Sequence, residues 1–100
     1  MKKLNVLGFK VTVKIQKIPD ELNQDGQAFE DQIIIDPRAE DPFQVYIHEA
    51  LHQLNDRIGI YRTTVDKDLE HIWIDMAASF FKDNIVTIWQ AYQKLNKLKK

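Results

Sequence analysis

Cysteine is absent from this 100-residue chain, so neither a disulfide framework nor a thiolate site is open to it. Long hydrophobic runs are missing as well, and no stretch suffices to span a bilayer. The opening Met1-Lys2-Lys3-Leu4-Asn5-Val6-Leu7-Gly8 has the basic start of a secretion signal, but Lys10, Thr12 and Lys14 break its apolar run at once. Charge of one sign is lacking: 14 Lys and Arg stand against 15 Asp and Glu, a net of -1, so no global field draws the chain to nucleic acid. These absences fit a cytoplasmic protein whose partners are neither nucleic acid nor membrane. With 44% apolar side chains, the chain suffices for one small domain with a modest core, spanning 1–100, and not for a second module.

Proline and glycine are scarce, three of each, so each one punctuates. Phe9, Val11, Val13 and Ile15 alternate with Lys10, Thr12, Lys14 and Gln16, the period of a strand with one face on a core, and Pro19-Asp20 ends it. Asp25-Gly26 is a hairpin-type signal before a short strand at Gln27 to Phe29 and a turn at Glu30-Asp31-Gln32. Gln32-Ile33-Ile34-Ile35-Asp36 is a strand closed by Pro37. Its continuous apolar run predicts either burial on both faces or an edge whose outer face meets a ligand. Residues 1–36 are therefore expected to form a small antiparallel sheet.

Histidine is scarce too, yet two of the three stand in His48-Glu49-Ala50-Leu51-His52, an HExxH motif. On a helix, residues four apart lie one above the other, so His48 and His52 can hold one zinc ion while Glu49 points into the same cleft as a general base. The helix itself is predicted over 41–58. Asp41 is the N-cap, Pro42 takes the first helical position, and Val45, Leu51 and Leu54, with Ile47 or Ile58 at the margins, form its apolar stripe. Gly59 reads as its C-cap and Ile60 to Val65 as a connector. Two histidines merely solvated on one amphipathic face are the plainer alternative.

The third histidine, His71, favours a metal. Structural zinc takes four protein ligands, whereas catalytic zinc takes three and leaves a position open. A second helix is predicted over 66–82, with Leu69, Ile72, Trp73, Met76 and Phe80 as its buried stripe and His71 beside it. Asp75 stacks four residues on from His71, placed to accept a hydrogen bond from a metal-binding imidazole. Glu70 is the rival third ligand, but adjacent helical residues diverge by about 100°, so only one of the two can serve. His71 is preferred because the residue four after Glu70 is Ile74.

From about Gly26 to Asn84 the chain resembles the minigluzincins, very small gluzincin-type zinc metallopeptidases common among phage and prophage proteins. The resemblance runs through Gly26-Gln27-Ala28-Phe29, Ile33-Ile34-Ile35-Asp36, Tyr46 to His52 and Phe80-Phe81-Lys82-Asp83-Asn84, of which only HExxH is specific. It implies a cytoplasmic hydrolase in a bacterium or phage-infected cell, with Zn2+ as cofactor. His48 and His52 would be ligands, Glu49 would activate water, and the third ligand would sit on the following helix. With Lys82-Asp83-Asn84 in register, that position falls on His71, where the family carries Glu, and its follower on Asp75. The resemblance further implies an edge strand above the active-site helix that pairs with an extended peptide or protein substrate. Ile33 to Asp36, or the short strand before it, takes that role.

A C-terminal helix is predicted over 84–98, recapped at Asp83-Asn84, with Ile85, Ile88, Trp89, Tyr92 and Leu95 as an apolar stripe expected to pack on the body, dimerisation or covering of the cleft being the alternatives. The expected fold is thus α+β: sheet, active-site helix, third-ligand helix, C-terminal helix, as a monomer or weak dimer. The expected activity is zinc-dependent peptide-bond hydrolysis with Glu49 as general base. The competing reading is a noncatalytic phage-type accessory or protein-binding module with a structural or relic zinc site. Tyr61, as an electrophile near the metal, and Asp56, behind His52, are further candidates whose plainer roles are packing and solvation.

Overall fold

A computed structural model describes the backbone of residues 1–64 and 69–99, with side chains described for 1–59 and 73–98. The chain is α+β. Strands β1 (Leu4–Val6), β2 (Phe9–Ile15), β3 (Gly26–Ala28) and β4 (Gln32–Ile35) precede two helices, α1 (Pro42–Thr64) and α2 (Leu69–Asn96). One-turn 3-10 helices lie at Asp20–Leu22 and Lys97–Lys99. No described helix is long and apolar enough to cross a membrane.

The sheet is mixed, in the order β1-β2-β4-β3, which corrects the expectation of an antiparallel one. β1 and β2 form a hairpin over Leu7 and Gly8, both at positive φ, with Asn5 Oδ1 accepting the Gly8 amide at 2.8 Å. β2 then pairs parallel with β4, and β3 pairs antiparallel with β4. The cause lies in the polar segment after Ile15: it crosses to the far side of the sheet, delivers β3, and sends β4 back along the direction of β2. Asp36 and Arg38 fix this crossover. The buried Asp36 carboxylate accepts the Ile18 amide at 3.0 Å and the Arg38 guanidinium at 2.8 and 3.0 Å, while Arg38 Nη2 donates to the Ile18 carbonyl at 2.9 Å.

The Arg38 guanidinium, helped by the backbone amides of Ile18 and Arg38, holds the Asp36 carboxyl well below the usual carboxylate range, against the opposing effect of burial. A lowered carboxyl pKa stabilises the fold above the unfolded-state value and is lost as pH falls below it. Wild-type melting temperature should therefore drop as pH falls below roughly 4. Asp36→Asn should start lower at neutral pH and lose less over that acid window, as thermal melts at stepped pH would reveal.

β4 lies inside the sheet, and Ile33, Ile34 and Ile35 are all buried, so its apolar run reflects burial on both faces. On one side the core joins Leu4, Val6, Val11, Val13, Ile33 and Ile35 to Tyr46, Ala50, Leu54 and Ile58 of α1 and to Phe80, Ala91 and Leu95 of α2. Phe9, expected in the core, is 38% exposed and instead carries the Arg57 guanidinium 3.6 Å above its ring. The centre of the α1 stripe is Tyr46-Ala50-Leu54-Ile58, with Val45, Ile47 and Leu51 only partly buried beside it.

Both helices outrun their expected ends. The Asp41 cap and Pro42 start are as expected, Asp41 Oδ1 accepting the Gln44 amide at 3.1 Å. At the other end α1 continues through Gly59 to Thr64, because Ile58 is still anchored in the core and Gly59 is not at positive φ. α2 runs unbroken through Asp83-Asn84, so the predicted third-ligand and C-terminal helices are one. Asn84 is not a cap but a buried bridge. Its Nδ2 donates to Phe80 O and Asn5 O at 2.7 and 2.6 Å, and its Oδ1 accepts the Asn5 amide at 2.8 Å. The helix thereby docks on β1 through the side chain that resembled a stop signal.

Candidate metal centre

Burying Tyr46, Ala50 and Leu54 turns the opposite face of α1 outward, and His48 and His52 stand there, exposed, one turn apart. Their Nε2 atoms face each other at 3.1 Å, with ring centroids 4.7 Å apart and planes at 80°. Two imidazole nitrogens at about 2.0–2.1 Å from one tetrahedral zinc stand roughly 3.3 Å apart, so the pair is close to the separation an ion requires. A zinc ion held through both Nε2 atoms would leave each ring proton on Nδ1. One ligand atom from each of His48, Glu49 and His52 lies within 4.8 Å of the other two.

Glu49 differs from its neighbours in being buried, 8% exposed, under the sheet edge. Gly26 of β3 lies directly above it. A Cβ built at Gly26 would collide with Val45 Cγ1 and stand 3.0 Å from Glu49 Oε2, so only glycine lets the strand approach α1 this closely. Gly26→Ala should lift β3 from the helix, since Val45 is β-branched and cannot swing aside freely. The expected loss is about 1–3 kcal/mol in a denaturant titration, the usual penalty of overpacking. An unchanged midpoint would show that the strand tolerates displacement.

Gln53 holds the same hairpin from its other end. Its buried side chain donates from Nε2 to the carbonyls of Phe29 and Gln32, at the turn between β3 and β4. Two adjoining hollows, about 540 and 670 Å3, follow the seam between β3 and α1 and share Gln24, Gly26, His48 and Glu49. The first adds Gln27, Ala28, Phe29, His52 and Asp56, and the second Asp25, Glu40, Asp41 and Gln44. The strand bounding this groove is β3, at the sheet edge, the short strand that was one of the two expected there; the other, Ile33 to Asp36, lies inside the sheet, because β2 occupies its outer side.

No family model, curated protein or solved structure matches the chain. The site therefore stands on its own geometry. His48, Glu49 and His52 come together as the sequence predicted. The side chains of Glu70 and His71, and of Tyr61, lie outside the described residues, and Asp75 is exposed on α2. Gly26 and Gln53 were not singled out as site residues from sequence. Asp25-Gly26 had the spelling of a turn, which concealed a close approach. Gln53 left a trace, a polar residue next to Leu54 in the buried stripe, where an amide must find partners.

Proposed function

We propose that the chain is a zinc-dependent metallopeptidase of minigluzincin type, hydrolysing peptide bonds of a peptide or protein substrate in the cytoplasm of a bacterial or phage-infected cell. The observation that carries this reading is the convergence of His48 and His52 Nε2 at 3.1 Å beside a buried carboxylate one residue away. His48 and His52 hold the ion, with His71, or alternatively Glu70, as third ligand. Zinc, when bound, supplies Lewis acidity to the scissile carbonyl and to water. Glu49 takes the proton from the attacking water and delivers it to the leaving amine nitrogen. Its burial beneath Gly26 fixes the carboxylate and shields it from bulk solvent. The free edge of β3 offers backbone hydrogen bonds to an extended substrate lying in the groove, an arrangement that binds main chain with little demand on sequence.

A module using zinc only as a structural staple would leave Glu49 without a task, which favours the enzyme. The test is metal analysis of protein purified without added zinc, paired with cleavage of an unstructured protein. About one zinc per chain is expected, with cleavage lost to a chelator and restored by zinc. Bound zinc without cleavage would support the noncatalytic module; absence of both after zinc is supplied would overturn the metal site itself.

A further inference from the structure

α2 carries a second apolar face that the core uses only in part: half-buried Ile88 packs on the core and the Tyr92 ring meets Phe43 of α1 edge-on at 5.2 Å, while the rest of the face is open. Phe80, Asn84, Ala91 and Leu95 are turned inward, whereas Ile74, Phe81, Ile85 and Tyr92 are 57, 41, 63 and 42% exposed. Together with Ala78 and Ile88, these four recur at alternating steps of four and three, the period of a helix–helix seam. Trp89 and Val86, 58 and 60% exposed, widen the strip. The large side chains leave roughly 600 Å2 of apolar surface in water, at the upper limit for the largest patch on a monomer. It also approaches the roughly 800 Å2 that each partner contributes to a standard interface. Trp, Tyr and Phe on one strip are the residue types that carry binding energy.

The strip is complementary to itself. Read in opposite directions about Asp83, it sets Phe81 against the partner's Ile85, Ala78 against the partner's Ile88 and Ile74 against the partner's Tyr92, so the small Ala78 meets a larger side chain. Antiparallel alignment also opposes the two helix dipoles. We propose that the protein is a two-fold homodimer, closed by antiparallel pairing of the exposed seam of α2. The proposal does not depend on zinc or on catalysis.

Sedimentation of the full chain at about 100 µM, well above the micromolar Kd that an interface of this size reaches, should give twice the 11.8 kDa chain mass. The double variant Phe81→Asp/Ile85→Asp should raise the dimer Kd by about 100-fold or more while leaving the helical circular dichroism intact, since both side chains are exposed. Trp89→Ser provides the same reading should the double variant lose helicity. The absence of native cysteine allows a second measurement. Lys82→Cys, beside the two-fold axis, should form a disulfide-linked dimer under mild oxidation, and Asp75→Cys, far from its own copy, should not. A wild-type monomer at this concentration, a dimer that survives both sets of substitutions, or preferential cross-linking of Asp75→Cys would each overturn the proposal.

Discussion

Replacing Glu49 with glutamine is expected to leave about one zinc per chain in place and to lower peptide hydrolysis by roughly 100- to 10,000-fold, the range that a positioned general base supplies. That loss corresponds to about 3–5 kcal/mol of barrier. Glutamine keeps the size of the side chain, so its packing under Gly26 and beside Val45 is preserved, and with it the approach of β3 to α1. What it lacks is a group that takes a proton. The ligand atoms on His48 and His52 are untouched, since the separation of their Nε2 atoms is set by one turn of α1 rather than by the carboxylate. Zinc lost together with activity would make Glu49 a ligand, and activity retained with zinc would move the base elsewhere. Circular dichroism and metal content measured on the same preparation separate these outcomes from simple unfolding.

The parts of the fold that were legible in the sequence are those specified by local chemistry. The period of β2 from Val11 onward, the Asp41-Pro42 helix start and the HExxH spacing each depend on neighbours within a few residues, and each is found where it was expected. What was hidden depends on distant partners. Asn84 resembles a helix break until Asn5, 79 positions away, supplies a backbone amide and carbonyl for it to bridge. Gly59 resembles a helix end, yet the burial of Ile58 in the core carries α1 past it. The parallel pairing of β2 with β4 follows from a crossover fixed by Asp36 and Arg38, which no periodicity within either strand encodes. The apolar run of β4 left burial on both faces and a ligand-facing edge both open, and the flanking of β4 by β2 and β3 decides for burial.

The same distinction governs α2. Ile85, Ile88, Trp89, Tyr92 and Leu95 have helical spacing and were expected to pack on the body, but Leu95 is buried and Ile85 and Trp89 are exposed. Two stripes are interleaved on one helix, and spacing alone cannot assign which of them meets the core. The docking of Asn84 on β1 decides it, turning Phe80, Ala91 and Leu95 inward and leaving Ile74, Phe81 and Ile85 outside. A helix of 28 residues, roughly 42 Å long, extends nearly the full 45 Å of the molecule, which is why it can serve the core with one face and present another between Ile74 and Tyr92.

The third ligand is the other place where a large effect is expected. A catalytic zinc site uses three protein ligands, and two imidazoles alone bind far more weakly than three donors. His71→Ala should therefore weaken zinc binding by orders of magnitude in a competition titration with a chelator, and Glu70→Ala should leave it nearly unchanged. Asp75→Ala should cost about 10- to 100-fold if its carboxylate steadies the His71 imidazole. Asp75 is exposed, so that support requires the two side chains to meet at the surface over the ion, and its effect is the smallest of the expected losses. The opposite ranking, with Glu70→Ala releasing the metal and His71→Ala retaining it, would assign the residue type of the resembled family to the site. Equal tolerance at both positions would mean that the ion rests on His48 and His52 alone, too weakly held for a resident catalytic metal.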